Sequence, residues 1–334
     1  MSAVSSSSVR RAIASGEDFV LRHQDGDGAW RDFRLQPGRS DAWVTAYAGA
    51  QLLALQRLFP SVARKRAITA AIAFLEGSRS AGDGWGYNGN CPPDADSTAR
   101  ALLFLHAAGS AVRLRDYAEL TRFALPDGAF ATYRFGDAWG GWCRGHSDVT
   151  VVALRALRNV LAPNHVLVRR GCARLVSYLR RRDAFASYWW TTPFYLAREL
   201  TLFFEPSTRL PAAGLPRPAE RLRSNAFERA LACDVALAHR DTAAAAICVR
   251  RLVEHQREDG SWPPAPILRV VDPRSKRIGD AYCRHSPVVA DDRAIFTTST
   301  VAGALAQFET MRARLYTRGL VDEGHHRIAQ PSLA

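Results

Sequence analysis

Two kinds of helical segment alternate along the chain. One kind is amphipathic with arginines on its polar face; the other is rich in Ala and Leu and nearly uncharged in places, as in Thr150-Val-Val-Ala-Leu-Arg-Ala-Leu157 and Thr298-Ser-Thr-Val-Ala-Gly-Ala-Leu305. A helix with one apolar stripe belongs on a surface, and one that is apolar all round belongs among other helices. Asp-Gly-x-aromatic turns separate the two kinds: Asp27-Gly-Ala-Trp30, Asp83-Gly-Trp85, Asp127-Gly-Ala-Phe130, a degenerate Asp183-Ala-Phe185, and Asp259-Gly-Ser-Trp262. The second helix of each unit begins near Thr45, Thr98, Thr150, Thr192 or Thr298. A further apolar helix, 226–238, fits between the fourth and the last, preceded by a short proline-broken partner at 206–218.

This repeat predicts about six helical hairpins and little strand. Paired helices either stack as an open solenoid or close into a barrel. Open arrays have regular unit lengths and polar end caps, whereas these connections vary widely in length. The expected fold is all-α: a single α/α barrel with inner and outer helix rings. It spans residues 1–320, with 321–334 as a flexible tail. Aligned on the threonines, the residue two positions earlier is Trp43, Asp96, Asp148, Trp190 or Phe296, with Asn225 in the irregular unit. In a closed barrel these six ring one mouth, so acidic and aromatic side chains face a common space.

Composition narrows the setting. The chain of 334 residues is 47% hydrophobic and 23% charged, as in water-soluble globular proteins. It has no apolar run of about 18 residues, the length a membrane span needs. Its first residues lack the charged-then-apolar order of a secretory leader. Cytoplasmic location is expected, and six cysteines without a C-x-x-C pair fit a reducing compartment. The net charge of +13 is carried almost wholly by arginine, Lys65 and Lys276 being the only lysines. Arginine favours bidentate anions, so nucleic acid, an anionic membrane surface and a phosphorylated substrate compete with simple compositional bias. The arginines are scattered and no nucleic-acid motif is present, so no nucleic-acid partner is expected; peripheral membrane contact stays open.

The chemistry concentrates at Asp94-Ala-Asp96-Ser-Thr-Ala99, which runs into the apolar stretch 100–105. Two carboxylates at the start of a buried helix are costly unless something uses or pairs them. Here the residues reach a family. Gln24-Asp-Gly-Asp-Gly-Ala-Trp30 and Gln256-Arg-Glu-Asp-Gly-Ser-Trp262 match the Q-x-x-x-G-x-W signature of the squalene–hopene cyclase and oxidosqualene cyclase superfamily. Pro92-Pro-Asp-Ala-Asp-Ser-Thr-Ala99 resembles the D-x-D-D acid motif of class II terpene cyclases. The resemblance implies an α/α barrel and a terpene cyclase, an isomerase or lyase that needs no cofactor. It further implies that an aspartic acid protonates an isoprenoid alkene or epoxide, which then cyclises through carbocations.

By position, Asp96 is similar to the proton donor and Asp94 to its flanking partner. Ser97 departs from the motif, standing where a third aspartate belongs, and brings the stretch closer to the Asp-Cys-Thr-Ala of oxidosqualene cyclases. One like charge fewer weakens the pressure that keeps the donor protonated, which favours an epoxide or activated alkene. The chain also has room for one barrel where family members have two helical domains. Either this barrel holds a smaller substrate, or a partner or second copy completes the cavity.

The remaining candidates follow from that chemistry. Asp148 is an anion to keep Asp96 protonated, and His146 a hydrogen-bond partner to orient its proton. Trp43, Trp85, Tyr133, Trp142, Tyr188, Trp189, Trp190 and Phe296 offer π faces to a cation, with Asn225 on the same ring. Arg134, Arg144 and Arg293 lie in loops feeding that mouth and suit a diphosphate. Trp30 and Trp262 are expected to staple outer helices together. Metal dependence is not predicted, because no Mg²⁺-binding pentapeptide is evident and the Asp280/Cys283/His285 and Cys143/His146/Asp148 spacings match no zinc pattern. Two other classes compete: an α/α-barrel carbohydrate enzyme with Asp96 and Asp148 as acid and base, and a non-catalytic barrel that binds an isoprenoid or a protein.

Overall fold

A computed structural model describes residues 4–80, 84–134, 136–181, 185–204 and 224–328. The expected partner segment at 206–218, Asp83 and the first two residues of the degenerate turn at 183–185 lie outside them. In chain order the helices are α1 (Ser6–Arg22), α2 (Ala42–Leu58), α3 (Val62–Gly77), α4 (Ala95–Ala107), α5 (Leu114–Thr121), α6 (Ser147–Leu157), α7 (Val166–Leu179), α8 (Pro193–Phe203), α9 (Ala226–Ala238), α10 (Thr242–Glu254), the short α11 (Ala281–Arg284) and α12 (Ile295–Ile328). None of the described helices is long and apolar enough to cross a membrane. The last helix runs into the segment read as a tail, through Ile328.

Packing sorts these helices into two rings. α2 packs on α4, α4 on α6, α6 on α8, α8 on α9, α9 on α12, and α12 back on α2, so the inner ring closes. Burial follows the sequence pattern. In α2 nearly every residue from Ala42 to Leu52 is buried, whereas α3 buries only the stripe Arg64, Ala67, Ile68, Ala71 and Leu75. Side-chain caps set where helices begin: Ser5, Ser61, Asp94, Asn225 and Asp241 each accept a first-turn N–H of the helix that follows, leaving fewer orphan donors. Thr192 caps α8 with Pro193 at its first position, where a missing N–H costs nothing.

Each Asp-Gly turn is clipped to the next inner helix by the threonine on which the repeat was aligned. Trp30 N donates to Thr45 Oγ1 at 2.9 Å, Trp85 N to Thr98 Oγ1 at 3.1 Å, Phe130 N to Thr150 Oγ1 at 2.9 Å, and Trp262 N to Thr298 Oγ1 at 3.2 Å. The indole N–H of Trp30 reaches back to Val20 O on α1, while Gln24 Nε2 donates to Ala67 O on α3. Trp262 and Gln256 repeat both bonds, to Leu252 O on α10 and Ala12 O on α1. Each of these turns therefore joins two outer helices and one inner helix. Gly28 and Gly260 have φ of +90°, and a Cβ there would sit 2.4 Å from Ala70 O or 2.2 Å from Ser15 O. Only glycine meets both conditions.

Two small hairpins lie in the connections. β1 (Asp32–Leu35) pairs antiparallel with β2 (Gly38–Ser40), and β3 (Pro266–Arg269) with β4 (Val288–Ala290). The second lies against the starts of the inner helices: Thr191 N donates to Ile267 O, and Arg269 N to Trp189 O.

Candidate functional site

Asp96 sits in the first turn of α4, and the cap formed by Asp94 determines its direction. Asp94 is buried and accepts from Ser97 N and Ser97 Oγ, both at 2.7 Å. Capping occupies its oxygens and anchors the turn that presents Asp96. Asp96 itself is only half-buried and makes no hydrogen bond or ion pair among the described residues. Its pKa is raised to about 6, first by desolvation and then by the charges of Asp148 and Glu199, against the pull of Arg100 and Trp43. The arginine four residues on does not neutralise it. Arg100 pairs with Glu199 at 3.0 Å and with the Tyr195 hydroxyl.

The ring of residues two before the threonines is brought together. Trp43 lies 5.1 Å from Phe296 and 5.7 Å from Trp190, ring to ring, and Trp190 lies 5.5 Å from Phe296. Tyr47 stacks on Phe296 at 4.0 Å, Tyr195 on Trp190 at 3.9 Å, and Phe227 joins Trp190 at 5.4 Å. These buried rings form a floor across the barrel. On the mouth side runs a second aromatic row, Tyr133 to Trp142 at 5.8 Å and Trp142 to Trp189 at 5.6 Å. Trp142 and Trp189 are half-buried like Asp96. Asp148 accepts Trp189 N at 2.9 Å, leaving its Oδ1 buried without a partner. Asn225 caps α9 through Glu228 N at 2.8 Å.

Six candidates make no contact with Asp96 among the described residues. His146 turns to Gly141 O, with Nε2 at 2.8 Å, and its ring stacks on Tyr188 at 3.5 Å. Burial lowers its pKa to about 4, keeping the imidazole neutral. It braces the loop ahead of α6 rather than the acid. Tyr188 is fully buried with its hydroxyl on Ser275 O at 3.3 Å. Trp85 fills the position equivalent to Trp30 and Trp262: it has no exposed surface and bonds Leu75 O at 2.8 Å, so its face serves the outer wall. Arg134 pairs with Glu119 at 2.7 Å, and Arg144 is exposed. Arg293 is likewise held, at Asp25 and backbone oxygens.

The sequence reading passed over a buried charge layer beneath the aromatic floor. Glu199 has no exposed surface, pairs with Arg100, with Arg155 and with Arg198 at 3.2 Å, and Arg198 pairs with Asp234 at 2.7 Å. Desolvation opposes its ionisation, yet Arg100, Arg155 and Arg198 together hold its pKa down at about 2. The signal was present: each of these charges interrupts an otherwise apolar inner helix. No group of three or more His, Cys, Asp or Glu side chains gathers into a metal site among the described residues.

No protein-family model matches the chain, nor does any curated protein. Solved structures do match. A protein from Actinoplanes is 27% identical with a TM-score of 0.77, over 90% of this chain and 99% of that one. A variant of type II terpene cyclase MstE from Scytonema, in complex with geranylgeranyl dihydroxybenzoate (substrate), is 23% identical with a TM-score of 0.76, over 91% and 98% of the two chains. A possible member of the GH105 family from Klebsiella pneumoniae is 10% identical with a TM-score of 0.59, over 92% and 94%. The chain has the α/α-barrel fold that this type II terpene cyclase also has.

Proposed function

We propose that this protein is a class II terpene cyclase whose Asp96 protonates an isoprenoid alkene or epoxide. One observation carries the reading. Asp96 is a half-buried carboxyl with no formed hydrogen bond or ion pair among the described residues, and its pKa is raised to about 6 by desolvation and by the charges of Asp148 and Glu199. A general acid works best with a pKa near the working pH. In the proposed step the Asp96 proton passes to the terminal alkene carbon or the epoxide oxygen. The π electrons, or the opening C–O bond, leave a tertiary cation that the next alkene attacks. The rings of Trp43, Trp142, Trp189 and Trp190 stabilise that cation across their faces, and loss of a proton ends the reaction.

Support for the substrate class comes from the likeness to MstE and from a second feature of the mouth. Beside Trp142 opens a bay of about 810 Å³ walled by Val271, Pro273, Arg274, Tyr282 and His285. We place there the polar head of an isoprenoid whose tail ends at Asp96. The barrel then holds a substrate smaller than a triterpene without a second domain.

Purified protein is incubated with farnesyl- and geranylgeranyl-type substrates bearing polar heads, and products are followed by mass spectrometry. Cyclised product is expected from the wild type, and about 10²- to 10⁴-fold less from Asp96→Asn. Equal rates from the two proteins overturn the assignment.

A further inference from the structure

Two polar groups without partners face each other in this barrel. The indole N–H of Trp43 is buried and has no hydrogen-bond acceptor, although Trp43 is only 4% exposed. An orphaned buried donor of this kind costs about 1–3 kcal/mol and is rare without a use. The carboxyl of Asp96, one inner helix away, also makes no bond among the described residues. The neighbouring Trp43 indole favours the ionised form of Asp96, and no formed hydrogen bond joins the two among the described residues. Contacts within the aromatic floor hold the Trp43 ring in place, since it packs on Phe33 at 5.5 Å as well as on Phe296 and Trp190. The donor is therefore held in place beside Asp96 without a formed hydrogen bond.

We infer that Trp43 is a positioning residue that receives the Asp96 carboxylate once its proton has gone to substrate. A neutral carboxylic acid is a poor acceptor and a carboxylate a strong one, so the bond forms as charge develops on Asp96. Interactions that strengthen only in the transition state are the ones that raise kcat. The indole N–H gives up no proton; it donates a hydrogen bond while the carboxyl O–H pair becomes an oxygen lone pair. The inference rests on Asp96 being the acid. It goes further in assigning Trp43 an electrostatic role through its N–H, separate from the role of its ring face.

The charged and titratable groups around Asp96 are Asp94 at the cap and Arg100 on its own helix, Asp148 on α6, and Glu199 and Tyr195 on α8, and all five stay unchanged in the test. Trp43→Phe removes the N–H, and site-specific replacement of Trp43 by benzothienylalanine removes it while keeping the ring's size. Two readouts are taken. The first is the infrared titration of the Asp96 carboxyl, isolated by subtracting Asp96→Asn. The second is the pH profile of kcat and KM. The titration midpoint and the high-pH limb of kcat are expected to rise together by about half a pH unit or more. With that, kcat falls about tenfold or more while KM stays within about twofold. A benzothienylalanine protein with an unmoved carboxyl midpoint overturns the inference. So does one in which only KM changes, because the N–H then serves the substrate. Should Asp96→Asn keep full activity, the cyclase assignment falls, while the carboxyl titration still reports whether Trp43 and Asp96 are coupled.

Discussion

Asp96 titrates in a field with opposing parts, and each part can be removed singly. Asp148 raises its pKa by like charge. Asp148→Asn keeps an oxygen to accept Trp189 N and deletes that charge. The Asp96 pKa is then expected to fall, and the high-pH limb of activity to move down by about half a pH unit; a limb that stays put or rises contradicts this. Stability carries the opposite sign. Folded Asp96 has a pKa of about 6 and Asp94 about 7, against about 3.9 for an unfolded aspartate. The folded chain holds these protons where the unfolded chain has lost them, so their stabilising contribution is complete below about pH 4 and is lost as pH rises through 6 to 7. Asp96→Asn escapes its share, and by urea denaturation at pH 8 it is expected to be more stable than wild type by about 1–3 kcal/mol. The place of the Asp96 carboxyl in the first turn of an inner helix was legible from its motif. The turn of His146 towards Gly141 was not, because a histidine two residues before an aspartate has no sequence signal for which way its ring faces.

At the scale of elements, the repeat is a hydrogen-bonded unit rather than a similarity of composition. The threonine near the start of α2, α4, α6 and α12 takes the N–H of the aromatic turn residue, and Thr45 also donates to Trp30 O at 3.1 Å. Thr45→Val keeps the shape and leaves both buried backbone groups unpaired, so a loss of about 1–3 kcal/mol is expected in chemical denaturation. A loss below about 0.5 kcal/mol would mean that water replaces the hydroxyl. These clips were readable as spacing, since the Asp-Gly-x-aromatic turn and the threonine recur in fixed order. The β3–β4 hairpin and the short α11 were not read, because strands of three or four residues give too few positions for a period of two to register. That connection nevertheless supplies Val271, Pro273, Arg274 and Tyr282 to the bay at the mouth.

For the whole molecule, closure of the inner ring turns separate charges into one network. Glu199 on α8 joins Arg100 from α4 and Arg155 from α6, and Arg198 carries the link to Asp234 on α9. Glu199→Gln leaves buried arginines uncompensated and is expected to cost about 3–5 kcal/mol, read as a lower urea midpoint; a midpoint within error of wild type would mean that the layer is solvated. The chain by itself determined the alternation of wet and dry helices, the turns and threonine clips, and the place of an acid at the head of an inner helix. Each of these depends on neighbours within a few turns of the same chain. Only the tertiary structure decided that Arg100 pairs with Glu199 rather than with Asp96, that the Trp85 indole bonds Leu75 O on an outer helix, and that the Trp43 indole lies beside Asp96. The first and last are contacts between helices separated by tens of residues. They depend on how the ring closes, and the order of amino acids records ring closure only through the sum of all its packing.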